Sequence, residues 1–319
     1  MKEHHRGPIV VIGSINMDLV CRTSHMPAPG ETTMGSEFVT IPGGKGANQA
    51  VAAARLGGEV HMVGRVGSDD FGERLMDGLK TAGVNTDHVK ITANVASGVA
   101  MILVDSSGEN SIVVVGGANS RLTPDDVNAA EDLIARAACV VMQLEVPFET
   151  IRHALAMCKR IGVYTILDPA PAPASGLPAE FYDVDILSPN QTEAELLLSD
   201  NNRLTSSHET HHRNAKDVAG DLLKRGPASV VLKLGGNGAL IIDRSGSIEE
   251  VSGFQVRVVD TTAAGDAFTG ALAVAHAEGK FGRDALRFAN AAGALACTAL
   301  GAQPALPTRA AVEELLCVI

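Results

Sequence analysis

The chain has 319 residues, 45% of them apolar and 20% charged, the balance of a folded protein with a sizeable core, which excludes a disordered chain. Its net charge of −11 argues against a nucleic-acid or anionic-membrane partner, and no apolar run approaches the roughly 18 residues of a spanning helix. Five cysteines (21, 139, 158, 297 and 317), odd in number and without a C-x-x-C pair, read as reduced thiols in a cytoplasmic protein, not as a disulfide framework or zinc site.

In chain order, Pro8 to Ile12 is a β-branched run closed by Gly13-Ser14, the expected first buried strand. Asn16 and Asp18 follow two apart. On an extended chain they point to one side and can hold neighbouring hydroxyls of a sugar; in a turn the same residues serve backbone hydrogen bonds. Residues 18–42 mix short alternating segments with Pro27, Pro29, Gly30, Gly35 and Pro42, and residues 96–115 read as a hairpin around Ser106 to Asn110. Together they are expected to form a small accessory sheet. Between them, Pro42-Gly43-Gly44-Lys45-Gly46-Ala47-Asn48-Gln49 opens a helix. Its glycines permit close backbone approach, Lys45 offers a cation and Asn48 both donates and accepts. It matches neither a P-loop nor a G-x-G-x-x-G dinucleotide loop, and an exposed helix start explains the same letters.

From residue 120 strands and helices alternate. Thr123-Pro124-Asp125-Asp126 caps a helix expected to run to about Arg136. Strands are expected at 140–144, 163–167 and 230–234, and helices at 149–160, 193–198 and 215–224. This alternation implies βαβ units and a mainly parallel sheet covered on both faces. Ligands gather at the carboxyl ends of such strands, where Asn16, Glu145, Asp168 and Asn190 all fall. Asn190 to Glu193 reads as a capped helix start or as a metal-and-phosphate corner. Leu234 to Gly238 is a tight turn or a ledge for a nucleotide. The polar stretch 201–214, with His208, His211 and His212, reads as a solvated surface loop in preference to a metal site.

The segment Val259-Asp260-Thr261-Thr262-Ala263-Ala264-Gly265-Asp266-Ala267-Phe268 places small residues and a carboxylate at a helix start. Outward backbone N–H groups there attract an anion, and a carboxylate beside a bound phosphate suits a proton acceptor in phosphoryl transfer. An acidic first turn favoured by the helix dipole accounts for the pair as well.

Taken in order, the Gly13–Asp18, Gly43–Asn48, Gln143–Glu145, Asp168–Ala172, Asn190–Glu195, Asp260–Asp266 and Gly301–Pro304 segments resemble the ribokinase (PfkB-type) family of carbohydrate kinases across essentially the whole chain after residue 8. The resemblance implies one domain over residues 1–319. It would be a Rossmann-like α/β fold with a mainly parallel sheet, helices on both faces, and a small β-sheet lid from about 18–42 and 96–115, dimerising through the lid. It implies ATP-dependent phosphorylation of the 5-hydroxyl of D-ribose, with Asp266 as base. Asn16, Asp18, Gly44, Lys45, Asn48 and Glu145 would lie at the sugar. Asn190, Lys233, Leu234, Gly235, Gly236, Asn237, Gly238, Gly265 and Asn290 would lie at ATP, and Glu193 would organise Mg2+. A monovalent cation (K+) would sit on Asp260, Thr262, Ala296, Ala299, Gly301 and Ala305, mostly through carbonyls; Ala305 stands where the family often has Ser and brings no side-chain oxygen. Deoxyribose or a nucleoside is an alternative substrate, although no Trp and only two Tyr leave little to stack a base. A catalytically silent sugar-binding regulator is the alternative of another class.

Overall fold

The computed structural model describes residues 7–199 and 214–317. The histidines at 208, 211 and 212 lie outside the described residues.

Nine strands form the main sheet: β1 (Ile9–Ile12), β4 (Val60–Gly67), β5 (Val84–Thr92), β8 (Cys139–Met142), β9 (Tyr164–Leu167), β10 (Ile186–Leu187), β11 (Ser229–Lys233), β12 (Ala239–Asp243) and β13 (Ile248–Val251). Their order is β13-β12-β11-β10-β9-β8-β1-β4-β5, and all run in one direction except β12, which is antiparallel to both its neighbours. β1 is therefore interior, with two strands on one side and six on the other. The chain builds outward from it to β4 and β5, then returns to build β8 to β11 on its other side. The strand order reverses between β1 and β8, where parallel sheets open a crevice at their carboxyl ends.

Strand β1 is buried along its whole length, with Ile9 and Val11 facing one core and Val10 and Ile12 the other. This is why it reads as a continuous apolar run and not an alternating one. The first core is closed by helices α1 (Lys45–Arg55), α2 (Asp70–Thr81), α8 (Ala264–Ala277), α9 (Gly282–Ala296) and α10 (Arg309–Cys317). The second is closed by α3 (Pro124–Asn128), α4 (Glu131–Ala135), α5 (Phe148–Ile161), α6 (Gln191–Leu198) and α7 (Ala215–Leu223). The helix expected over 123–136 is thus two short helices with a break at Ala129-Ala130. Its start is as expected: Thr123 and Asp126 form a capping box with Pro124 in the first turn.

A separate four-stranded sheet comprises β2 (Asn16–Thr23), β3 (Gly35–Gly43), β6 (Gly98–Val104) and β7 (Asn110–Val115), in the order β3-β2-β6-β7. Asn16 and Asp18 are extended members of β2, not turn residues. Register puts Ile41, Ala100 and Val114 on the Asp18 face, and Phe38, Met101 and Val113 on the opposite face.

Asp126 carries a stabilising ion cluster. The Arg65 guanidinium donates to both its oxygens (2.7 and 2.8 Å), Lys90 lies 2.8 Å away, and the Thr123 N–H adds a fourth donor. Burial alone would raise this carboxyl, but the donors outweigh it and hold it at about 2. The associated stability is present above the ordinary aspartate pKa near 4 and is lost as pH falls through about 2. Asp126→Ala is expected to cost about 3 kcal/mol in denaturant melts at pH 7, with the deficit shrinking below pH 3. A deficit that does not change with pH would refute the ionic account.

Candidate active site

The reversal point of the sheet is where the chemistry-bearing side chains meet. Gly44, the N-cap of α1, has φ of 87°, a conformation costly for any residue with a Cβ, and an added Cβ would stand 2.6 Å from the Asn16 N atom. At Gly43 an added Cβ would stand 2.2 Å from Asp18 Oδ2. The glycines thus let α1 start against the β1–β2 connection, which brings Lys45, Asn48 and Gln49 beside Asn16 and Asp18.

Glu145 follows β8. Its Oε2 accepts from Ser14 Oγ (2.6 Å) and from the Lys45 N–H (3.2 Å). Asn16 is aimed by the buried Asn119, whose Nδ2 donates to Asn16 Oδ1 at 2.6 Å. Ser14 and Asn119 were invisible as site residues because they act through their partners. The Asp18 carboxyl is raised to about 7 by burial, with Glu145 and Asp266 adding repulsion. Lys45 feels the reverse: burial opposes its charge, but Asp266, Glu145, Asp168 and Glu193 surround it and raise its pKa.

Asp266 lies in the first turn of α8. Asn48 Nδ2 donates to its Oδ2 (2.9 Å) and Gln49 Nε2 to its Oδ1 (3.0 Å). Burial raises its pKa to about 6, with Asp168 adding to the rise and Lys45, Asn48 and Gln49 opposing it. Gln49 also donates to Asp168 Oδ2 (3.0 Å), and its own Oε1 accepts from Gln143 Nε2 (2.6 Å). A buried amide therefore ties two carboxylates together. Asn48 Oδ1 is buried and has no partner, which is uncommon for a side-chain carbonyl and marks a place for a donor.

The α8 start is bent for anion approach. Ala263 sits at φ 59°, ψ 10°, a left-handed conformation unusual for alanine and typical of strained functional turns. The Ala264 N–H turns back to Thr261 O at 3.3 Å, so the outward first-turn amides are those of Gly265 and Asp266. An open cleft of about 290 Å³ begins there; Lys233, Gly235, Gly236, Gly238, Gly265 and Asn290 line it. Leu234 does not, since it packs against the α5–α7 core, and Asn237 belongs to the outer rim of the β11–β12 turn. The turn is both a hairpin and a cleft wall. Phe254, Val258 and Cys297 form further walls that no sequence motif singles out.

Asn190 and Glu193 form a reciprocal capping box on α6, each backbone N–H donating to the other's side chain at 2.8 Å. Asn190 also bridges in parallel to Lys233, so this corner adjoins the cleft. Glu193 is raised by burial and by Asp168. Farther out, Asp260 Oδ1 accepts from the Thr262 N–H and hydroxyl (2.9 and 2.7 Å), and its Oδ2 from the Gly301 N–H (2.9 Å). Asp260, Thr262 and Gly301 are thereby drawn together. Ala296 is buried at the end of α9, Ala299 follows it, and Ala305 is buried in a short helical turn.

The family model for pfkB family carbohydrate kinases matches residues 7–309. A ribokinase of Bacillus subtilis is 43% identical over 97% of this chain and 99% of its own. A deoxyribokinase of Salmonella typhi is 35% identical over 97% and 98%. The structure of Arabidopsis thaliana ribokinase complexed with ribose and ATP matches with a TM-score of 0.86 at 36% identity, covering 97% of this chain and 98% of that one. The two-sheet architecture, the convergent site and the full-length similarity lead to one conclusion: the chain belongs to the pfkB family of carbohydrate kinases and is a phosphotransferase acting on an alcohol group.

Proposed function

We propose that the protein transfers the γ-phosphate of ATP to the 5-hydroxyl of D-ribose, with Asp266 as the general base. The observation that carries this is the position of the Asp266 carboxylate. It is buried, aimed by Asn48 and Gln49, and set in the same helix turn as the outward amides that would receive a phosphate. In the transfer a bond forms from the sugar oxygen to phosphorus, the bond from phosphorus to the ADP oxygen breaks, and the hydroxyl proton passes to Asp266. Asn16, Asp18, Gly44, Lys45 and Glu145, with Asn48 Oδ1 as a waiting acceptor, would hold the sugar. Lys233, Gly235, Gly236, Gly238, Gly265 and Asn290 would border ATP, and Asn190 would steady the corner beside it.

Asp168 and the proton-seeking Glu193 form an acidic corner where a divalent cation is electrostatically welcome. Asn190 and Glu193 would hold Mg2+ through its water shell, and the ion would neutralise phosphate charge. Asp260, whose donors hold its carboxyl low against the opposing effect of burial, gives the Thr262–Gly301 cluster the negative charge that K+ requires, with carbonyls of Ala296, Ala299, Gly301 and Ala305 as candidate ligands.

Residues 18–42 and 96–115 would act as a lid, their Asp18 face over the sugar. The opposite face carries Phe38 (63% exposed), Met101 (55%) and Val113 (62%), an apolar surface that suits a second copy of this chain. Val113→Arg is then expected to shift sedimentation from dimer to monomer; an unchanged sedimentation coefficient would remove the lid from the interface. Five free cysteines, and no helix among the described residues long and apolar enough to cross a membrane, fit a cytoplasmic enzyme.

A coupled assay of ADP release across ribose, deoxyribose, fructose and adenosine, with and without K+, tests the reading. Ribose is expected to give the highest kcat/KM. The Salmonella relative keeps deoxyribose as the second reading, and a higher kcat/KM on that sugar would install it. Sugar binding without ADP release would favour a silent regulator, against which Gly265 and Asp266 stand.

A further inference from the structure

The kinase reading above, on which this inference rests, leaves open what the sugar pocket asks of each hydroxyl: to donate a hydrogen or to accept one. An asparagine beside a hydroxyl presents either its carbonyl or its NH2 group, and only its other contacts decide which. For Asn16 the deciding contact starts at a backbone N–H, a group that cannot turn round. Ile15 N donates to Asn119 Oδ1 at 2.9 Å, so the Asn119 carbonyl is committed to Ile15. The NH2 end of Asn119 is therefore the one that donates to Ile15 O (3.2 Å) and to Asn16 Oδ1 (2.6 Å). With its own carbonyl taken, Asn16 is left with Nδ2, a donor.

This lock is built into the base of the small sheet. Asn16 opens β2, Gly98 opens β6 and Asn119 follows β7. An added Cβ on Gly98 would stand 2.2 Å from both Asn119 Nδ2 and Asn16 Oδ1, so a glycine there leaves room for the contact. Asn119 is 1% and Asn16 2% exposed, and a turned Asn16 would set two buried NH2 groups against each other, so the amide does not turn at low cost. Asp18 lies two residues along the extended strand, on the same side, and accepts when ionised. Asn48 is fixed in the opposite sense: its Nδ2 donates to Asp266, and its Oδ1 is the buried atom without a partner. Asn16 thus gives a hydrogen where Asn48 takes one.

We propose that Asn119 sets the specificity of the sugar site by fixing Asn16 as a donor, so that the site selects neighbouring hydroxyls of which one accepts from Asn16 Nδ2 while Asp18 takes the hydroxyl hydrogens. Asn119 is a positioning residue: it acts through Asn16. A sugar with hydrogen in place of the accepting hydroxyl leaves a buried N–H without a partner, which a site built around hydrogen bonds penalises heavily. Fluorine in the same place accepts weakly and cannot donate. It restores part of the contact to Asn16 and none of the contact to Asp18.

The test measures kcat/KM and calorimetric dissociation constants for D-ribose, its 2-deoxy and 3-deoxy forms, and the matching 2-fluoro and 3-fluoro sugars, all of which keep the 5-hydroxyl. In wild type, fluorine is expected to be about fivefold better than hydrogen at one of the two positions and no better at the other. Asn119→Asp keeps an acceptor for the Ile15 N–H but turns an oxygen toward Asn16, which draws Asn16 Nδ2 round and leaves Oδ1 for the sugar. It is expected to raise the ribose KM about thirtyfold, to lower kcat less than about fivefold, and to abolish the fluorine advantage. Asn16→Asp, in which one oxygen keeps the bond from Asn119 and the other meets the sugar, is expected to lose the same advantage with the lock in place. A merely loosened fold would weaken all the sugars alike and keep their ranking. Three results would overturn the proposal: fluorine no better than hydrogen at both positions in wild type, a fluorine advantage that survives in either variant, or a ribose KM within twofold of wild type in Asn119→Asp. Should Asn119→Asp fail to fold, the wild-type and Asn16→Asp rankings decide. A wild-type protein that phosphorylates none of these sugars would sink the kinase reading instead, and the calorimetric ranking would still report on Asn16.

Discussion

Asp266→Asn is expected to lower kcat about a thousandfold to ten-thousandfold while the sugar dissociation constant stays within a few-fold. The substitution is nearly isosteric, and the local hydrogen bonds can survive it. Gln49 Nε2 still finds a carbonyl oxygen at the Oδ1 position. The new amide N–H faces Asn48, whose unpartnered Oδ1 accepts it after a flip of that side chain. What is lost is the capacity to take a proton. In the unmodified enzyme the group ionises at about 6, so kcat/KM is expected to fall as pH drops through 6, and this acidic limb disappears in the variant. Burial is the main cause of that raised value, so the carboxylate opposes folding at neutral pH. The native state holds Asp266 at about 6 against an ordinary 3.8, and the ionised form therefore prefers the unfolded chain between and above these values. Asp266→Asn should melt at least as high as wild type at pH 7, with the difference vanishing below about pH 4. Near-normal turnover would remove Asp266 from the base role.

The second large effect is expected at Asp18. Asp18→Ala should lower kcat/KM for the sugar about a hundredfold, mostly through KM, because two hydroxyls lose a charged acceptor. The carboxyl stands at about 7 without sugar, raised by burial first and then by Glu145 and Asp266. Hydroxyl donors favour its ionised form and draw its pKa down. Sugar binding at pH 7 is then expected to release up to about half a proton, measured by calorimetry in buffers of different ionisation enthalpy. The release should vanish in Asp18→Ala. Sugar binding that releases no proton in wild type, or an unchanged KM in the variant, would place Asp18 outside the sugar contacts.

Much of the parallel sheet was legible because strands buried on both faces write themselves as short apolar runs, as in Ile9–Ile12, Cys139–Met142 and Tyr164–Leu167. Capping chemistry was legible for the same local reason: Thr123 with Asp126, and Asn190 with Glu193, close their boxes within one turn. The break at Ala129-Ala130 was not, since alanine is compatible with a continuous helix and carries no stop signal. Nor were β4 and β5, which arise from residues 60–92 and owe their places to the pairing of β4 with β1 and of β5 with β4.

By itself the sequence determined the materials of the site: a glycine-bracketed Lys45 and Asn48, an Asn16–Asp18 pair, and a small-residue turn before Asp266, in an order that belongs to a family. Each of those segments is local, and each has an ordinary structural explanation when read alone. Tertiary structure decided which residues act together. Asp266 meets Gln49 across 217 positions, Gln49 meets Asp168 across 119, and Asp168 meets Lys233 across 65. Burial and opposing charge exist only once those segments pack. Only then does Asp266 become a base titrating near 6, Asp18 a carboxyl near 7, and Lys233 an ammonium set against a helix pole.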